Sequence, residues 1–239
     1  MISMDLEAQR AWSQSHKALN NIILKPQEHS QAIQLFLSLH AWLHSPAVGD
    51  TDKPTLENLA VEHLNETTFR KYPVTLPNTK NSIAWHLWHI TRIEDMTMNI
   101  LVADGQQVLY AGNWFDKMNT GFSHSGNEMS GEDIADLSSS IHFESLLAYR
   151  TAVGKQTRQI VSELAPGQFK EKVEPDRIKR LFDEHAITQD AIWLAEYWSK
   201  KTIAGLMLMP ATRHIFLHLK KCVHIKDKLN KPLKNPLQS

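Results

Sequence analysis

Near the C-terminal end of the 239-residue chain, His214 and His218 stand four residues apart in the stretch Pro210-Ala211-Thr212-Arg213-His214-Ile215-Phe216-Leu217-His218-Leu219. The stretch opens on a proline and runs on with apolar residues at helical spacing, so on a helix the two imidazoles project from one face, one turn apart. Such a pair offers two nitrogen ligands to a metal ion. A third can come from a second helix, where His86 and His89 lie in Ser82-Ile83-Ala84-Trp85-His86-Leu87-Trp88-His89-Ile90-Thr91-Arg92-Ile93-Glu94-Asp95; the spacing leaves both in play. Three imidazoles and an open vertex form a catalytic rather than a structural coordination, because the vertex takes water or substrate. A metal held this way polarises a carbonyl or lowers the pKa of a bound water or thiol. With 13 histidines in the chain, four-spaced pairs also arise by chance, and spacing alone does not assign ligands.

The elements that must position these residues are helical. Pro26-Gln27-Glu28 opens a first helix whose apolar stripe is Ala32, Leu35, Phe36, Leu39 and Leu43, and Ser45-Pro46 closes it. That helix carries its own four-spaced pair, His40 and His44, for which a capping or structural role is expected. After a Pro- and Thr-rich crossover, the Asn81-Ser82 caps start a second helix with the stripe Ile83, Leu87, Ile90, Ile93, Thr97, Ile100 and Leu101 and with His86 and His89 on its borders. Residues 103–131 read as a long loop anchored by Tyr110, Trp114, Phe115 and Phe122, able to cover a pocket. A third helix runs from about His142 to Leu164, stopped by Ala165-Pro166-Gly167. Shorter helices follow, Met209-Pro210 breaks the last of them, and the His214 helix runs to about Leu229. No alternating strand pattern and no repeat is present, so the fold class is all-α, a helical bundle of four long helices with additional short ones.

Composition narrows the setting. Lysine plus arginine and aspartate plus glutamate both total 26, which offers no basic field for nucleic acid and no polybasic membrane anchor. A single cysteine, Cys222, fits a reducing compartment. No apolar h-region or membrane-length run is visible, so the cytoplasm is the expected location. Residues 1–20 are expected to be a loosely ordered extension, 21–229 one domain, and 230–239 a disordered tail. Apolar helix faces point to a homodimer.

Trp85-His86-Leu87-Trp88-His89-Ile90, together with Met209-Pro210-Ala211-Thr212-Arg213-His214 and His218, resembles the DinB-like superfamily. The resemblance implies an antiparallel, up-down-down-up four-helix bundle in which one histidine of the second helix and a His-x-x-x-His pair of the last bind a divalent metal. The first ligand maps onto His89, because in the family it follows a Trp-x-Leu-x run, here Trp85-His86-Leu87-Trp88. His86 then stands as an alternative ligand or a partner to one. Nitrogen donors of intermediate softness suit Zn or Ni, with Fe, Co and Mn as alternatives. The implied chemistry is that of thiol-dependent S-transferases and a thiol-dependent isomerase, in which the metal activates a low-molecular-weight thiol for a small-molecule substrate.

Accessory catalytic roles are expected of Arg213 beside the first ligand, Tyr149 and Arg150 on the third helix, and Glu94 beyond His89. Arginine would hold an anionic group in bidentate fashion. Trp85, Trp88, Trp193 and Trp198 are expected to line the pocket or the core, and Cys222 to be a buried small hydrophobe. His16, His29, His63, His124, His142, His185 and His224 are expected at the surface. The rival class is a helical module that binds metal without turnover, or that serves as a stress-response interaction partner.

Overall fold

The computed structural model describes residues 6–230. Among them no strand occurs; two isolated bridges, Leu76 with Thr79 and Lys172 with Thr202, are the sole β pairings. Five long helices organise the described residues. They are α1 (Leu6–Ile22), α2 (His29–Ala41), α3 (Ile83–Asp95, continued as a π-helix over Met96–Val102), α4 (Phe143–Glu163) and α5. The last is continuous through Ile203–Leu208, a π-helical stretch Met209–His214, and Ile215–Leu229.

Local chemistry explains the boundaries. The Ser82 hydroxyl accepts from the Trp85 amide at 2.9 Å and starts α3, and Thr202 caps α5 in the same way through Gly205 at 3.2 Å. Gly167, at a φ of 104°, turns the chain after α4.

Met209-Pro210 does not break the helix as its sequence suggests. Proline removes one N–H and crowds the carbonyl four residues back. The π turn widens the backbone there, and the Thr212 hydroxyl donates to the carbonyls of Met207 and Leu208 at 2.9 and 2.8 Å. The break falls earlier, at Lys200–Thr202 between Ile192–Ser199 and α5.

The all-helical class expected from the sequence holds, with two local corrections. The loop 103–131 contains two short helices, Val108–Ala111 and Trp114–Met118. The N-terminal segment is not a loose extension from residue 6 onward. In α1, Trp12 and Leu19 are buried, the Trp12 ring stacks on Phe216 at 4.2 Å, and its Nε1 donates to Leu39 O at 3.1 Å. Interspersed charges at Glu7 and Arg10 obscured a stripe that one tryptophan and one leucine suffice to anchor. Residues 1–5 and the tail 231–239 lie outside the described residues.

α3 is the axis. It packs on α4 to one side and on α5 to the other, while α1 lies on α2, and α2 contacts α4 and the π stretch of α5. Every residue from Ile83 to Val102 is buried, so the single-faced stripe read from sequence is in fact a helix enclosed on all sides. Among the described residues no helix is long and apolar enough to cross a membrane. If α1 belongs to the core, Trp12→Ala should destabilise the protein by about 3–5 kcal/mol in urea unfolding followed by circular dichroism. A loss below about 1 kcal/mol would show α1 to be peripheral.

Candidate metal centre

α3 and α5 bring His89, His214 and His218 to one place, each offering a ring nitrogen within 4.8 Å of the others. His89 Nε2 and His214 Nε2 are 3.1 Å apart. Two nitrogens at about 2.0–2.1 Å from a tetrahedral ion would be separated by about 3.3 Å, so the pair already has nearly the spacing of adjacent ligands. The π turn ends at His214 and the α-helix resumes at Ile215, which keeps the four-residue phase to His218.

Two of the three rings are oriented by what the other nitrogen touches. His89 Nδ1 is 2.6 Å from the Ser125 carbonyl, which can only accept; Nδ1 therefore carries the proton and Nε2 presents a lone pair. His218 Nδ1 is 2.9 Å from His86 Nδ1, and His86 Nε2 is 2.9 Å from the Thr79 hydroxyl. With His218 Nδ1 donating to His86 and His86 Nε2 donating to Thr79, the chain of bonds leaves His218 Nε2 as a free lone pair. His214 Nδ1 is buried without a hydrogen-bond partner among the described residues. Trp85 stacks on His89 at 4.5 Å and closes one wall.

Burial keeps these imidazoles uncharged. It pushes His86 down to about 3 and His89 to about 4, helped by the nearby Lys221 charge; the Ser125 carbonyl partly opposes the shift at His89. His214 and His218 are held well below the usual histidine range by burial and by the neighbouring imidazoles. Neutral rings with free lone pairs are what a metal requires of histidine. The donor set therefore fits a divalent ion.

Two cavities flank the cluster. One, about 460 Å³, is lined by Leu76–Thr79 on one side and by His214, His218, Lys220, Lys221 and His224 on the other. The second, about 230 Å³, is apolar and aromatic, with His89 and His214 facing Trp193, Tyr197 and Trp198. A positively charged mouth and an aromatic chamber thus meet at three imidazoles.

The residues expected in accessory roles stand elsewhere. Arg150 is buried; its Nε and Nη2 reach Glu57 Oε2 at 2.8 Å, and Nη2 also donates to Leu43 O at 3.0 Å. The Tyr149 hydroxyl bonds Asp95 and receives a 2.7 Å bond from Arg92, whose guanidinium also donates to Asp95 and to Ser123 O, both at 2.9 Å. Glu94 turns away from His89 to His40 and His44. Arg213 is exposed, and its charge acts on His16. None of the four lines either cavity at the cluster.

Sequence reading missed Ser125, Thr79, Lys220 and Lys221, which have no diagnostic spacing. His29 is buried against Leu164 O at 2.8 Å instead of at the surface, and His16 is half-buried on the carbonyl of Leu208 at 2.9 Å. Cys222 is buried with its thiol pushed up to about 12, which makes it a core residue and no nucleophile.

The profile of the DinB superfamily matches residues 52–211, more than half of the chain. The chain belongs to the DinB superfamily. The matched span includes His86 and His89 but stops short of His214, so the DinB assignment and the geometry around His214 and His218 are separate observations. No curated protein matches the chain.

The depressed histidines make stability pH-dependent. Below the ordinary value of 6.5 the unfolded chain takes up protons on His86 and His89, while the folded chain does not until pH approaches 3 to 4. Proton uptake then favours the unfolded state, and stability falls as pH drops through that window. Protein freed of metal with a chelator should lose stability in urea unfolding between pH 6.5 and 5 with a slope that rises from about 0.7 toward about 1.4 kcal/mol per pH unit for each such histidine, less steeply in His86→Asn. A flat profile would contradict the enclosed, neutral cluster.

Proposed function

We propose that the protein is a metal-dependent enzyme that delivers a thiol or water to a small electrophile, with His89, His214 and His218 holding one divalent metal. The observation that carries this reading is the convergence of three enclosed, uncharged imidazoles from two helices between a basic mouth and an aromatic chamber. Zinc or nickel is the favoured ion, with iron, cobalt and manganese admitted by the same donors. When bound, the ion supplies Lewis acidity that lowers the pKa of a thiol or water and so provides a nucleophile at neutral pH.

The remaining steps fall to the protein. Ser125 O fixes the tautomer of His89, and His86, anchored on the Thr79 hydroxyl, orients the ring of His218. Lys220 and Lys221 stand where an anionic group of a small thiol would enter, a role that Arg150, engaged with Glu57, does not fill in this arrangement. Trp193, Tyr197 and Trp198 offer an apolar wall to the electrophile and exclude water from it. In this proposal α2, α3, α4 and α5 are the four helices of the family's up-down-down-up bundle. A cytoplasmic setting belongs to the same proposal, as does a homodimer formed through the exposed Ile192 and Trp193.

The test uses protein purified without an affinity tag. Elemental analysis should show His214→Ala carrying one metal equivalent fewer than wild type, and His86→Ala should bind that ion about 10–100-fold more weakly. With bacillithiol, glutathione or other cellular thiols and monochlorobimane as electrophile, metal-loaded wild type should accelerate conjugation and His218→Ala should fall to background. Equal metal content in wild type and His214→Ala would contradict the site. Equal rates across the panel would leave a DinB module that binds metal without turnover.

A further inference from the structure

The helix that presents His89 also points a carboxylate the other way, into a second group of imidazoles. His40 lies in the last turn of α2 and His44 just beyond it, both fully buried, and their rings stack at 4.3 Å. Both face Glu94 of α3. His40 Nε2 is 2.7 Å from Glu94 Oε1; His44 Nε2 is 3.1 Å from Oε2 but lacks the alignment of a hydrogen bond. We propose that His40, His44 and Glu94 form a second metal-ion site, an interior two-histidine, one-carboxylate site that ties α2 to α3.

Three observations carry it. First, the group offers one donor atom from each residue within 4.8 Å, and its two measured nitrogen-to-oxygen separations bracket the roughly 3.0 Å expected between neighbouring ligands of an octahedral ion with bonds of about 2.1 Å.

Second, the polar atoms are not satisfied by the protein alone. His40 Nδ1, His44 Nδ1, His44 Nε2 and Glu94 Oε2 are buried without a hydrogen-bond partner among the described residues. Four such atoms in one interior spot depart from the rule that buried polar groups are paired. Arg150, whose charge reaches His44, is not free to neutralise Glu94, because Glu57 holds it at 2.8 Å. A divalent cation would supply the missing positive charge and use both His44 Nε2 and the second carboxylate oxygen.

Third, room has been made for the His44 ring. A Cβ at Gly154 would lie 2.8 Å from His44 Nδ1 and 3.0 Å from Val48 Cγ1. Glycine in the middle of α4 costs about 1 kcal/mol relative to alanine, and here it lets the imidazole sit against the helix backbone. Two histidines and one carboxylate suit a first-row divalent ion such as Fe(II), Mn(II) or Zn(II). With no exposure of either His40 or Glu94, the ion would be structural and would enter as the chain folds.

The experiment is a metal count on tag-free protein refolded with Zn(II) or Mn(II) and then dialysed. Wild type should hold two ions per chain, and His214→Ala should keep one that Glu94→Gln loses. His214→Ala should also melt at a lower temperature when refolded with a chelator in place of the metal. A wild type that holds one ion, lost in His214→Ala, would overturn the second site while leaving the three-histidine reading intact. One ion kept in His214→Ala and lost in Glu94→Gln would sustain the second site and remove the first. Should Glu94→Gln fail to fold, an anomalous peak or its absence between His40 and Glu94 in wild-type crystals grown with Mn(II) decides the matter.

Discussion

A helix with no solvent-facing side must find partners for every polar group it carries from the elements around it. α3 is such a helix, and it carries His86, His89, Thr91, Arg92, Glu94, Asp95, Thr97 and Asn99, all buried. Leaving one such group unpaired costs of the order of 1–3 kcal/mol, and more when it is charged. The placement of the surrounding structure follows from this constraint. α5 faces His86 and His89 with His218 and His214, the end of α2 and the turn after it face Glu94 with His40 and His44, and α4 brings Tyr149 to Asp95 and Arg92.

The same constraint gives the segment after α3 its purpose. Gln107 accepts from Arg92, the Asp95 carboxylate accepts the amides of Val108 and Leu109 at 2.9 and 3.0 Å, and Ser125 O receives His89. An aspartate inside one helix thus caps the start of the next short one. What looks in sequence like a lid is therefore fastened to the buried helix at both ends of its polar run. His89 and Glu94 stand five positions apart, about 140° around the helix, so the two imidazole groups lie on different sides of α3.

Helical class, the four long segments from α2 to α5 and the pairing of His214 with His218 were legible because periodicity, caps and a four-residue spacing are local signals; the choice of His89 over His86 came from the resemblance of the Trp85-His86-Leu87-Trp88 run to the DinB-like pattern. The polar interior of α3 was not. An apolar stripe at Ile83, Leu87, Ile90 and Ile93 predicts one buried face, and the intervening Arg92, Glu94 and Asp95 read by default as a solvated one; only partners distant in sequence reverse that. Glu94, expected in an accessory role beyond His89, faces His40 and His44, while Arg150 pairs with Glu57 and Tyr149 with Asp95. Pro210 misled in the other direction, since a π turn absorbs a proline that an α-helix could not. Lys220 and Lys221, which flank the mouth, are indistinguishable in sequence from any exposed basic pair.

The central claim is that α3 and α5 hold three neutral imidazoles ready for one ion. Anomalous diffraction from crystals of the tag-free protein grown with Zn(II), recorded on both sides of the zinc edge, addresses it directly. The account predicts a peak about 2.0–2.1 Å from one nitrogen each of His89, His214 and His218, with His86 outside the coordination sphere. A cluster without a peak, or one in which His86 displaces His218 as ligand, would contradict it.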